Sequence, residues 1–79
     1  MKVNIYTIQN TLFEGEVEKL IAKTPMGEIT VLDNHLPMVS TVTGPAITAI
    51  DKNGKKDIIK ISSGIIEIKP ESEVTILAS

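Results

Sequence analysis

The 79-residue chain is 42% apolar and 23% charged, has a formal net charge of −2 and contains no cysteine, which bounds it to one small domain over residues 1–79 and removes thiol catalysis, disulfide staples and thiolate metal sites. All eight basic residues are lysine, so bidentate guanidinium recognition of phosphate or guanine is excluded and nucleic acid is not an expected partner. One histidine is too few for an imidazole-based metal centre, and no apolar run approaches the ~20 residues of a bilayer span.

Thirteen Ile, six Val and eight Thr make 27 β-branched residues, against four Ala and five Leu, a composition that favours strands. In chain order, Val3, Ile5 and Thr7 alternate with Lys2, Asn4 and Tyr6 as a first strand, and Gln9-Asn10 turns the chain. From Leu12 to Lys23 one half-buried strand is predicted, with Phe13, Gly15, Val17 and Ile21 on one phase and Glu14, Glu16 and Glu18 on the other. Thr24-Pro25-Met26-Gly27 has β-turn chemistry and leads to a strand from Glu28 to Leu32. Met38 to Val42 and Ala46 to Ile50 read as two strands separated by Thr43-Gly44-Pro45. Asn53-Gly54 signals a hairpin in which both residues accept positive φ. Strands over Ile58–Ser62, Ile65–Lys69 and Glu73–Ala78 complete the chain, with turns at Ser63-Gly64 and Pro70-Glu71-Ser72.

The predicted architecture is all-β, a small two-sheet β-sandwich of about 8–10 short strands, with a closed small barrel as the alternative. A domain of this size buries only a little over ~60% of its unfolded surface, which favours a permanent partner. Five apolar doublets place a side chain on both faces of their strands: Leu20-Ile21, Val31-Leu32, Ile58-Ile59, Ile65-Ile66 and Ile76-Leu77. Two explanations stand side by side, ordinary exposure at the ends of a sandwich and an outer sheet that faces a partner.

The catalytic inventory is thin. Ser62-Ser63-Gly64 lacks the strand-elbow-helix context of a nucleophile, and Asp33 with His35 is read as a loop pair. Glu14, Glu16 and Glu18 are read as a solvated strand face, and Lys52, Lys55 and Lys56 as solubilising charges around a hairpin. No cofactor, metal or catalytic residue is expected. A free-standing β-sandwich adaptor or small-ligand module is the alternative function on these residues alone.

The stretch Thr24-Pro25-Met26-Gly27-Glu28-Ile29-Thr30-Val31-Leu32-Asp33-Asn34-His35-Leu36-Pro37-Met38-Val39-Ser40 resembles the signature of the epsilon subunit of F-type ATP synthases. Phe13-Glu14-Gly15-Glu16-Val17, Ser63-Gly64-Ile65-Ile66-Glu67-Ile68 and Val74-Thr75-Ile76-Leu77-Ala78 are similar to three further segments of that family. The resemblance implies a non-catalytic rotor subunit of the central stalk, bound to the gamma subunit and resting on the c-ring, peripheral at the cytoplasmic face of the inner (plasma) membrane through the complex. It nominates Met26, Gly27 and Glu28 for the c-ring contact, although Glu28 has a simpler reading as an exposed turn carboxylate. For the gamma contact it points to His35, Pro37 and Met38, where Pro37 alternatively only shapes the start of a strand, and the doublets add Ile65 and Leu77. Gly64 matches a family glycine at a close backbone approach. The family's two C-terminal helices are not matched, so neither ATP binding nor an inhibitory helix is expected of these residues.

Overall fold

A side chain that points inward on every second residue can be buried only if a second layer covers it, and here the chain supplies that layer by folding over itself. The computed structural model describes residues 1–79 and contains eight strands and no helix: β1 Lys2–Tyr6, β2 Thr11–Glu16, β3 Lys19–Thr24, β4 Gly27–Val31, β5 Met38–Ile50, β6 Lys56–Lys60, β7 Ser63–Lys69 and β8 Glu73–Ala78. Hydrogen bonding runs in the order β2-β1-β8-β7-β5-β3-β4, with β6 also paired to β5.

The 13-residue β5 belongs to both layers. Its first half, Met38–Thr43, pairs with β7 and closes a front sheet β2-β1-β8-β7-β5. Its second half, Ala46–Ile50, pairs with β6 and β3 in a back sheet completed by β4. The two expected strands are therefore halves of one strand bent at Gly44-Pro45, a cis peptide. The bend is tied down by backbone bonds from Gly44 N–H to Ser62 O at 2.8 Å and from Ile61 N–H to Pro45 O at 3.1 Å.

The opposite correction applies to Leu12–Lys23, expected as one strand and found as two. Val17 N–H donates to Met1 O in the front sheet while Glu18 N–H donates to Ile50 O in the back sheet, each at 2.8 Å. The chain changes layers between these two residues, and the inward phase changes with it, from Phe13, Gly15 and Val17 to Leu20, Ala22 and Thr24. Ile21, grouped with Val17 on the sequence pattern, consequently faces outward.

Between the sheets lies a cluster of 17 buried residues that includes Ile5, Leu20, Ile47, Ile66 and Ile76, all at 0% exposure. Each apolar doublet splits as its alternation demands, with Leu20, Val31, Ile59, Ile66 and Ile76 inside and their neighbours turned out. A parallel pairing of β1 with β8, Lys2 opposite Glu73 through Tyr6 opposite Leu77, brings the two ends of the chain side by side in the front sheet.

The β5–β6 hairpin forms where Asn53-Gly54 indicated, but only Gly54 has a positive φ, 84°. Asp51 organises the loop instead. Its Oδ1 accepts from Asn53 N–H at 2.8 Å and Lys55 N–H at 2.9 Å, and its carbonyl accepts from Gly54 N–H at 3.0 Å. Asp51→Ala removes the acceptor of both side-chain hydrogen bonds and is expected to cost about 1 kcal/mol. Urea unfolding should show a lowered midpoint with an unchanged m value.

Candidate functional site: an apolar outer face and two sets of loops

The turns divide between two ends of the sandwich. At one lie the β1–β2 turn, the β3–β4 turn, the β5 bend and the β6–β7 connection; at the other lie the Leu32–Pro37 loop, the β5–β6 hairpin and the β7–β8 turn. The residues nominated from the sequence fall into three places.

Met26, Gly27 and Glu28 form the first. Buried Thr24 shapes their turn: its hydroxyl donates to Gly27 O at 2.9 Å and accepts from Met26 N–H at 3.1 Å. Gly27 takes φ 113°, a conformation that side chains with a Cβ rarely adopt. The turn therefore presents Met26 at 95% exposure, and Glu28 follows on the outward face of β4, opposite Lys23. Ile8, in the β1–β2 turn at the same end, is 94% exposed. Sequence reasoning passed over it because a single apolar residue beside Gln9-Asn10 has no pattern.

His35, Pro37 and Met38 lie at the opposite end. His35 is half-buried, its Nδ1 hydrogen-bonded to Leu36 O at 2.8 Å and its backbone N–H to Leu32 O at 3.2 Å. Pro37 is exposed, whereas the Met38 side chain is half-buried and packs against the core across from Ile68. Its outward neighbour Val39, which the sequence reading did not select, is 69% exposed.

Ile65 and Leu77 occupy the third place, the outer face of the front sheet. Tyr6, Leu77, Ile65 and Thr41 are consecutive register partners across β1, β8, β7 and β5. Ile65 is 51% and Leu77 46% exposed, and Val39 joins them diagonally from its place opposite Glu67. The row is thus a strip about 14 Å long, three strand spacings, with Leu77 and Ile65 as its apolar centre. Tyr6 was legible only as a member of an alternating strand. Its place in the strip depends on the parallel β1–β8 pairing, which no local pattern announces.

Side chains with catalytic potential are kept apart. Ser63 lies opposite Thr43 at one end of the front sheet, its hydroxyl 3.0 Å from that of Ser79, while His35 precedes the start of β5 at the other end. Asp33 is engaged 2.9 Å from the Met1 ammonium rather than with His35. The largest depression, about 430 Å³, is open and polar, lined by residues including Glu16, Glu18, Asp33, Asp51 and Lys52. Its open shape and charged rim set it apart from the apolar, enclosing cavities that hold small ligands. The arrangement offers surfaces rather than a reaction centre.

Comparison with known proteins agrees with this geometry. The chain matches, over residues 1–79, the family described as ATP synthase, Delta/Epsilon chain, beta-sandwich domain. It is 35% identical over 78 residues to the ATP synthase epsilon chain of Halalkalibacterium halodurans, covering 99% of this chain and 57% of that one. Against the ATP synthase epsilon chain of an Exiguobacterium species it is 37% identical over 76 residues, covering 96% and 55%. The chain thus spans a little over half the length of these curated relatives. A chain in the cryo-EM structure of the Euglena gracilis mitochondrial ATP synthase superimposes with a TM-score of 0.88 at 23% identity, over 96% of this chain and 48% of that one, a likeness of fold. With an all-strand sandwich, the family match over every residue and relatives above 30% identity in agreement, this chain belongs to the family of ATP synthase delta/epsilon chain β-sandwich domains.

Proposed function

We propose that the domain is a non-catalytic central-stalk component of a rotary ATP synthase, peripheral to the membrane at its cytoplasmic face, which grips the gamma subunit through the front sheet and touches the c-ring through the Met26-Gly27-Glu28 turn. The reading is carried by one observation: Val39, Ile65 and Leu77 stand outward on the front sheet although the core already holds 17 buried residues. Exposed aliphatic side chains grouped on one face mark a binding surface, and membership of the delta/epsilon family supports a partner within an ATP synthase. Torque is transmitted by such a part through shape and burial, with no bond chemistry of its own. The turn contact rests on Met26, whose side chain projects into solvent with little to pack against in the free domain, and the His35-Pro37 loop adds contact at the far end.

The test is binding to the gamma subunit from the same organism. The double variant Ile65→Ala/Leu77→Ala is expected to lose at least tenfold in affinity, because buried aliphatic anchors near the centre of an interface contribute most of its energy, while its circular dichroism stays that of the parent. Unaltered affinity for gamma in the double variant would overturn the assignment.

A further inference from the structure

The outer faces of the two sheets carry opposite charge. On the front sheet, the row next to the apolar strip is Glu14, Asn4, Thr75, Glu67 and Val39 in register order. It holds two glutamates and no cation. The row after it mixes both signs, Glu16, Lys2, Glu73 and Lys69, each lysine facing a glutamate in register. Neither Glu14 nor Glu67 takes part in an ion pair within the chain. On the back sheet, the outward positions of β3, β5, β6 and β4 include Lys19, Lys23, Lys56 and Lys60 against Glu28 alone, a balance of +3 from four lysines and one glutamate. A chain of net charge −2 thus concentrates positive charge on one broad face and leaves unpaired carboxylates on the other.

The geometry points to a gamma surface that carries a cationic strip parallel to its apolar one. Successive outward residues of a strand are about 7 Å apart, so the partner's Lys or Arg side chains lie about 7 Å from the groups that cover Ile65 and Leu77, on the side toward the His35-Pro37 loop. Glu14 and Glu67 sit three strand spacings apart, about 14 Å, and require two separate cations rather than one. The back-sheet lysines repel the same partner, so long-range attraction at one face and repulsion at the other orient the sandwich before contact. Charge then decides which face docks and in which direction the strip runs, and apolar burial decides how long it stays.

This inference rests on the gamma-binding reading, and the experiment separates the two. Association of the chain with the gamma subunit from the same organism is followed at low and high salt for the parent, Glu14→Lys/Glu67→Lys, Glu14→Gln/Glu67→Gln and Ile65→Ala/Leu77→Ala. All six substitutions fall on outward-facing side chains, and circular dichroism verifies each fold. Charge reversal is expected to slow association at least tenfold at low salt, neutralisation to slow it less, and both differences to shrink as salt rises. The alanine variant should instead dissociate faster at either salt concentration. Charge reversal that leaves association unchanged while the alanine pair weakens binding would refute the cationic strip and leave the gamma assignment standing; loss of neither would refute both.

Discussion

Valine at position 64 is expected to unfold the domain at 25 °C. Gly64 is paired with Ala78 across β7 and β8, and a Cβ on it would lie 2.5 Å from Leu77 O and 3.1 Å from Ala78 Cα. Both obstacles are backbone, so no side-chain rotation relieves the contact and the strands must part. Overpacking a core by a few methylenes costs about 1–3 kcal/mol where side chains can shift; a clash with a central strand costs more. Against that stands a total stability of about 4–12 kcal/mol for a domain of this length. Gly64→Ala should show a partial version of the same defect, a thermal midpoint lowered by ~10 °C or more. A midpoint for Gly64→Val within a few degrees of the parent would show that β8 yields at no cost. The strands forced apart are those that carry Ile65 and Leu77, so any folded fraction of Gly64→Val should also bind gamma poorly.

Gly64 shows how far the sequence reaches and where it stops. Its match to a family glycine flagged a close approach, but the partner atoms belong to β8, and only the register of β7 on β8 identifies them. The same division runs through the molecule. Alternation places Val3, Ile5, Ile66 and Ile76 inside because the side-chain period of a strand is a local property; Leu20 is inside only because the phase changes with the layer after Val17. The bend at Gly44-Pro45 was visible as an interruption, yet composition cannot say whether the chain there ends one strand or carries it into the next sheet. At Val17-Glu18 there was no interruption to see: the change of layer occurs without Gly or Pro, held by hydrogen bonds to Met1 and Ile50 from distant parts of the chain. The candidate site divides likewise. Ile65 and Leu77 were legible because each belongs to a doublet, in which one member must face out. Val39 was passed over because the family resemblance pointed to its neighbour Met38, and Tyr6 reaches the strip only through a parallel pairing between the two ends of the chain.

The Ile65-Ile66 doublet separates the two uses of isoleucine, and alanine at each position should give opposite results. Ile66 has no solvent exposure and lies in register with Ser40 of β5 and Ile76 of β8. Its truncation removes three carbons from a closed layer with few ways to collapse, at a cost of about 3 kcal/mol, within the 2–5 kcal/mol span of such core truncations. With ~4–8 °C lost per kcal/mol in a domain of this size, the melting midpoint of Ile66→Ala should fall by well over 10 °C. Ile65, one residue away and 51% exposed, already meets water on one side, and its truncation should change stability by less than about 1 kcal/mol. Binding to gamma should rank the two in reverse. At a temperature where both variants are folded, Ile65→Ala binds more weakly while Ile66→Ala, with the outer surface intact, retains affinity close to that of the parent. Equal loss of stability at both positions would mean that the front sheet has no free outer face, and the docking surface built on Val39, Ile65 and Leu77 would fall with it.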